Sequence, residues 1–169
     1  YMLFQIFAGK DLDVEFMHFE KIMGSIDRGE VDAGVLLHEG QILFEKDGFN
    51  KILDLGEEWY KKTDLPIPLG VDLVNRKFDL KVREDLTTVF YNSVKYAIEN
   101  ENDALKYAMQ YGRNLSFEEA RKFVRMYVNK DTLDMGQEGL SAINKLFDLA
   151  IQNGILPEKP EIDLIHPKK

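Results

Sequence analysis

Apolar and polar side chains alternate with two different periods along the first half of the chain. Residues 1–8 form an apolar run that suits a buried helix ended by Gly9. Residues 14–19 alternate between apolar and polar side chains, which predicts a strand, because successive side chains of a strand point to opposite faces. A helical period then follows over residues 19–26, and Gly29 ends that helix.

Three further runs have strand character, and they cover residues 33–37, 52–55 and 71–75. The run at 33–37 is short and apolar on both faces, which is typical of a parallel sheet covered by helices. A short helix is predicted over residues 57–62. This alternation of strands and helices predicts an α/β fold.

The second half of the chain has helical periodicity instead. Apolar stripes recur over residues 82–97 and 140–151, and Gly154 ends the second stripe. Between them, Ser116 followed by Glu119 is a capping-box signature for the start of another helix. The segment from Pro157 onward contains three of the five prolines, so we expect it to run extended over the surface.

Composition narrows the classes of function. Hydrophobic residues make up 44% of the 169 residues and charged residues 31%, as in a globular protein. The net charge of −8 argues against a nucleic-acid partner, because phosphate binding needs a basic surface. The absence of cysteine excludes disulfides, thiolate metal sites and cysteine nucleophiles. No apolar run approaches the roughly 18 residues that span a bilayer, and residues 1–8 lack the basic start of a signal peptide, so we expect no membrane partner.

His38 is the leading candidate for chemistry, because it follows a predicted strand and precedes Glu39-Gly40. Loops at the carboxyl ends of parallel strands bind ligands in open α/β sheets, and a histidine there can move a proton near neutral pH. Gly40 would let a ligand approach the backbone closely. Position alone leaves a second interpretation open, in which His38 only caps a strand by hydrogen bonding.

The remaining polar candidates favour structural interpretations. His18 lies inside a predicted strand, and His166 lies in the proline-rich tail. The three histidines are scattered, without a pair at i, i+4, which argues against a metal site. Asp54 lies in an apolar run near two other carboxylates, Glu39 and Asp72, but we expect it to cap the following helix rather than to act as an acid or base.

Several motifs, taken in order, resemble a known family, the 1,4-dihydroxy-6-naphthoate synthases of the futalosine route to menaquinone. The similarity extends from about residue 1 to about residue 157. The motifs that carry it are residues 29–40 (GEVDAGVLLHEG), 54–59 (DLGEEW), 63–70 (TDLPIPLG), 127–129 (YVN) and 134–136 (DMG), with Gly139.

The resemblance implies a periplasmic-binding-protein type II-like fold with two lobes and a ligand cleft between them. Residues 65–70 contain two prolines and Gly70, which suits a hinge. We therefore expect residues 1–66 to form a nearly whole small α/β lobe with the catalytic histidine. Residues 67–169 would form the hinge return and C-terminal helices of the other, incomplete lobe.

The resemblance also implies a reaction. The family converts cyclic dehypoxanthine futalosine into 1,4-dihydroxy-6-naphthoate, as a carbon–carbon lyase in the cytoplasm, without metal or organic cofactor. The histidine of its His-Glu-Gly motif is the general base and matches His38. We expect Glu39, Gly40, Leu69 and Gly70 to contact the substrate.

Two alternatives stay open. Chorismate dehydratase, a sister family, shares the fold and a segment like residues 54–59, but it lacks the His-Glu-Gly motif and differs after the hinge. A non-catalytic solute-binding protein on the same scaffold would use His38 only as a hydrogen-bonding group.

One departure from the family is large. Its members are longer, and a Thr-Thr-Ala triplet that helps to hold the substrate commonly precedes the tyrosine that matches Tyr1. We therefore expect the chain to lack an N-terminal portion, and we expect its activity in isolation to be weak or absent.

Overall fold

The computed structural model describes residues 1–9, 11–111 and 115–168. Within these residues all regular secondary structure is helical, and no β-strand or sheet is formed. The predicted α/β fold, and with it the periplasmic-binding-protein type II-like architecture, is therefore wrong for this structure.

The four runs with strand character explain the error. The predicted strands 14–19, 33–37, 52–55 and 71–75 are non-helical except for Phe19, which begins a 3-10 helix, and Leu55, which begins an α-helix. None of these runs pairs with another in the part of the chain that the structure describes. A strand needs a neighbour to accept and donate its backbone hydrogen bonds. The alternating pattern describes one segment at a time and contains no information about such a neighbour. Some of the apolar side chains in these runs are exposed: Ile52 is 81% exposed and Leu73 88%.

The described residues divide into two compact units, and the first is Tyr1–Asp64. Its helices α1 (Met2–Ala8) and α4 (Leu55–Thr63) contact each other, and the side chain of Trp59 in α4 is fully buried. A short 3-10 helix leads directly into α2 (Ile22–Asp27) and contacts it. The elements of this unit are α1 (Met2–Ala8), the 3-10 helix (Phe19–Lys21), α2 (Ile22–Asp27), α3 (Gly40–Leu43) and α4 (Leu55–Thr63).

Helix α4 is capped at both ends. The carboxylate of Asp54 accepts hydrogen bonds from the backbone amides of Gly56 at 3.0 Å and Glu57 at 3.2 Å. These are two of the amides that a helix start leaves without intrahelical partners. At the other end, Asp64 adopts the left-handed conformation, with φ of 55°. The predicted capping role of Asp54 is therefore confirmed.

The second unit is Leu65–Lys169. Helix α5 (Leu80–Glu99) contacts α6 (Glu101–Ala108) and α8 (Lys130–Leu133). Helix α6 also contacts α7 (Phe117–Tyr127). Its buried apolar side chains are Leu105, Leu115, Ala120, Ala142, Leu149 and Ala150. None of the helices in the described part of the chain is both long and apolar enough to cross a membrane. The elements are α5 (Leu80–Glu99), α6 (Glu101–Ala108), α7 (Phe117–Tyr127), α8 (Lys130–Leu133) and α9 (Gly136–Gln152).

The predicted capping box of α7 is present. The Glu119 amide donates to the Ser116 hydroxyl at 3.3 Å, and the Ser116 amide donates to the Glu119 carboxylate at 2.7 Å. Two charge-assisted hydrogen bonds, at 2.6 and 2.8 Å, also join the Arg125 guanidinium of α7 to the Glu101 carboxylate of α6. Local sequence signals thus set where α7 begins, and a charged pair ties it to α6.

The segment after α9 is non-helical and is hydrogen-bonded to α5. The Lys168 ammonium donates to the Asp85 carboxylate at 2.5 Å, and the Lys168 amide donates to the Thr88 hydroxyl at 2.8 Å. Further toward the start of α5, Arg83 pairs with Asp163 at 3.2 Å. The C-terminal segment therefore lies along the surface of α5.

Candidate functional site

The backbone at His38 is in an uncommon conformation. His38 has φ of 56°, in the left-handed region that non-glycine residues rarely adopt. Its carbonyl oxygen accepts from the Gln41 amide at 3.3 Å, in the turn that leads into α3. Such a conformation costs about 1–3 kcal/mol and persists only where the surrounding structure imposes it. Strain of this kind is concentrated at functional sites, so the turn is a candidate site on structural grounds.

Helix α2 supports the chain that leads into this turn. A β-carbon on Gly34 would overlap with Cγ2 of Ile22 and lie 3.3 Å from Cδ1 of Ile26, so the backbone at Gly34 lies directly against α2. A β-carbon on Gly40 would lie 3.5 Å from Sδ of Met23, which places the end of the turn beside the same helix. Residues 34–40 are therefore positioned by close packing on α2.

The His38 imidazole contacts an aromatic ring from the start of the same helical region. The ring centroids of Phe19 and His38 are 4.3 Å apart, with an interplanar angle of 38°. Phe19 also contacts the His18 ring, with centroids 4.5 Å apart and an angle of 28°. The sequence pattern places Phe19 at the end of the predicted strand 14–19 and at the start of an apolar helical stripe, and it does not mark Phe19 as a site residue. The signal that could have found it is its position next to the start of a helix that precedes the His-Glu-Gly motif.

His18 has a structural role in this arrangement. It is the N-cap residue of the 3-10 helix, and its Nδ1 accepts from the Glu20 amide at 3.4 Å. The Glu20 carboxylate lies at the same distance, 3.4 Å, from Nδ1. The position therefore agrees with the structural interpretation of His18.

Hydrogen bonds among charged and polar side chains hold the loop between α2 and the His-Glu-Gly motif. The Arg28 guanidinium makes two hydrogen bonds to the Glu30 carboxylate, at 2.7 and 2.8 Å, and a third to the buried Ser25 hydroxyl at 3.3 Å. The hydrogen bonds that Glu30 receives from Arg28 and from Ser25 lower its pKa to about 2. The Glu30 amide donates to the Ser25 carbonyl at 3.0 Å. These bonds hold the chain as it leaves α2 toward Gly34.

The other predicted contact residues lie in both units. Glu39 and Gly40 are half-buried next to His38 in the first unit, whereas Leu69 and Gly70 lie in the second. Leu69 is 48% exposed, and a β-carbon on Gly70 would meet no atom within 4 Å. Their role as substrate contacts stays a prediction.

The carboxylates suggested as partners for acid–base chemistry have other roles or positions. Asp54 is engaged as the cap of α4, where burial raises its pKa but the hydrogen bonds from Lys51 and from two backbone amides outweigh it and lower the pKa. Asp72 is exposed in the second unit. Among residues 1–9, 11–111 and 115–168, no group of three or more histidine, aspartate or glutamate side chains is arranged to hold a metal ion.

Comparison with known proteins gives the arrangement a family context. Residues 1–152 match the model of a family described as menaquinone biosynthesis. Two curated relatives are named 1,4-dihydroxy-6-naphthoate synthase. One is from Streptomyces coelicolor, 30% identical over 93% of this chain, and the other is from Thermus thermophilus, 32% identical over 95%. The resemblance inferred from the motifs is therefore confirmed.

A solved structure is also similar. The crystal structure of a protein from Archaeoglobus fulgidus, 36% identical in sequence, superposes with a TM-score of 0.88 over 92% of this chain. The match covers 58% of that protein, and the present chain spans 57–58% of the length of the two curated relatives. The chain is therefore similar in fold to an experimental structure over the matched part.

Proposed function

This chain belongs to the menaquinone biosynthesis family, and from that premise we propose that it carries the catalytic base of a 1,4-dihydroxy-6-naphthoate synthase. The reaction would convert cyclic dehypoxanthine futalosine into 1,4-dihydroxy-6-naphthoate, as a carbon–carbon lyase of the cytoplasm. The names of two curated relatives support this assignment. A small-molecule substrate is in keeping with a biosynthetic enzyme.

The proposed role of His38 as the base is supported above all by its backbone conformation. A histidine in an exposed left-handed turn is held there against its intrinsic preference, with φ of 56°. Exposure leaves the imidazole accessible to a ligand, and a neutral imidazole nitrogen can accept a proton near neutral pH. In the proposed step, His38 takes a proton from the substrate and so starts the elimination that frees the naphthoate ring.

Four further residues complete the proposal as substrate contacts. Glu39 and Gly40 adjoin the base in the chain, and Leu69 and Gly70 belong to the segment that distinguishes this family's motif from that of chorismate dehydratase. Their assignment rests on the resemblance of these motifs to the family.

The test uses the product of the complete gene that encodes this sequence, incubated with cyclic dehypoxanthine futalosine. We expect 1,4-dihydroxy-6-naphthoate to form and His38→Ala to lower kcat by 10²–10⁴, the usual contribution of a general base. His166→Ala, an exposed histidine of the C-terminal segment, is the matched control and should keep wild-type turnover. Turnover of His38→Ala within about tenfold of wild type would contradict the role of His38 as base. Consumption of chorismate instead would identify the sister activity.

A further inference from the structure

The His38 imidazole lies beside the Phe19 ring. A terminal torsion between tetrahedral and planar carbons has a broad minimum, so an exposed imidazole rotates easily about χ2. In the described part of the chain, no carboxylate hydrogen-bonds to the His38 ring, although a third group of that kind commonly orients a catalytic base. The Phe19 ring, with its centroid 4.3 Å away, lies where it restricts this rotation.

Phe19 itself is well anchored. It is the first residue of the 3-10 helix, and that helix continues directly into α2. The Lys21 amide donates to the His18 carbonyl at 2.9 Å, which closes the turn around Phe19. A second ring, that of His18, also contacts Phe19, with the centroids 4.5 Å apart. Because α2 also packs against Gly34, the ring and the His38 turn are attached to the same helical support.

We propose that Phe19 is a positioning residue of the active site, whose ring holds the His38 imidazole in the orientation from which it accepts the substrate proton. This inference rests on the proposed role of His38 as base. Proton transfer needs the base within hydrogen-bond reach of the proton, and small displacements of a reacting group have large effects on rate. Loss of the ring should therefore lower the rate of the chemical step and leave substrate binding nearly unchanged.

The kinetic test compares two substitutions in the product of the complete gene. Phe19→Leu keeps an apolar side chain but removes the planar ring, and we expect kcat to fall about tenfold or more with KM within about threefold. Phe19→Tyr keeps the ring and should retain kcat within about threefold. Phe49→Leu, another phenylalanine of the first unit, is the matched control for lost packing and should keep wild-type kcat.

A double-mutant cycle separates positioning from packing. If Phe19 acts through His38, Phe19→Leu has no further effect on the residual rate once His38→Ala is present, because the two residues form one functional unit. An equal loss of kcat in both backgrounds would overturn the inference. Should Phe19→Leu fail to fold, Phe19→Met, which fills irregular space with an unbranched side chain, replaces it in the same cycle.

A second measurement does not depend on activity and uses the 169-residue chain itself. The imidazole proton resonances of His38 experience the ring current of Phe19 and should shift in Phe19→Leu and stay near wild type in Phe49→Leu. Unchanged His38 resonances together with unchanged kcat would overturn the inference while leaving His38 as the base. Full turnover by His38→Ala would instead overturn the proposed function, whatever the resonances show.

Discussion

Gly34 lies so close to Ile22 that a single methyl group at position 34 would overlap with Cγ2 of the isoleucine. This contact brings the chain that carries His38 against α2, the helix that continues from the 3-10 helix of Phe19. The position of the His38 turn therefore depends on glycine at residue 34, because any side chain there would prevent this contact. Its energetic importance can be measured directly.

Gly34→Ala should destabilise the protein. The added methyl group forces the backbone away from α2 or Ile22 out of its rotamer, and overpacking of this kind costs typically 1–3 kcal/mol. The free energy of unfolding from urea titration is the measurement. Gly70→Ala is the matched control, because a β-carbon there meets no atom within 4 Å and its change should stay within about 0.5 kcal/mol.

A second substitution shows that the loss comes from this contact. Ile22→Ala removes Cγ2, so Gly34→Ala should have less effect in the Ile22→Ala background than in the wild type, with a coupling of about 0.5–3 kcal/mol between the two sites. Strict additivity of the two changes would contradict the close packing of Gly34 on Ile22.

The His38→Gly variant should be more stable than the His38→Ala variant, while kcat falls by 10²–10⁴ in both. Glycine adopts the left-handed region without steric penalty, whereas an L-residue there costs roughly 1–2 kcal/mol. We expect the glycine variant to be about 1 kcal/mol more stable than the alanine variant by chemical denaturation. Leu37, the preceding residue, does not have positive φ, so the same pair of substitutions there should show the opposite order. A glycine variant less stable than the alanine variant at position 38 would contradict the strained turn.

The helix starts and the helical periodicity of this structure could be predicted from the sequence. The Ser116 and Glu119 side chains define the start of α7, and Asp54 defines the start of α4, because a cap needs only residues within one turn of each other. The periodicity of residues 82–97 likewise predicted α5, which the structure extends over Leu80–Glu99. These signals are short in range, so one sequence is enough to read them.

The non-local part could not be predicted in the same way. The alternation at residues 14–19 suits a strand, but a strand exists only with a neighbour, and no pattern within the segment specifies one. The left-handed backbone of His38 depends on packing against α2, and the contact with Phe19 joins residues 19 positions apart. The histidine could therefore be identified from its motif, but the residue that orients it required the structure.

Protonation of Glu30 should occur far below its ordinary pH range. Its hydrogen bonds to Arg28 and Ser25 lower the pKa from 4.5 to about 2, so the stabilisation that this pair provides is complete above about pH 4.5 and is lost as the pH falls toward 2. An NMR titration of the Glu30 carboxyl carbon measures this midpoint. Arg28→Lys keeps the charge but not the two-bond geometry and should give an intermediate midpoint, whereas Arg28→Ala should return it toward 4.5.

The pH dependence of stability provides a second test of the Glu30–Arg28 pair. The stability difference between wild type and Glu30→Gln should narrow as the pH is lowered from 6 to 2, because Glu30 becomes progressively protonated and loses its charged pairing with Arg28. Glu15→Gln removes an exposed carboxyl group that has no arginine partner among the described residues and should show no such convergence. A Glu30 midpoint near 4.5 in the wild type would contradict the bidentate pair.

Ser116→Ala should remove the N-cap of α7 and destabilise the second unit. The hydroxyl accepts a hydrogen bond from the Glu119 amide at 3.3 Å, and loss of such a cap costs about 0.5–2 kcal/mol. Ser141→Ala is the matched control, because Ser141 is exposed inside α9, where alanine is the better helix former, so its change should be neutral or slightly stabilising. The measurement is the free energy of unfolding of the two variants. Equal values for Ser116→Ala and Ser141→Ala would mean that the capping box contributes nothing to the stability of α7.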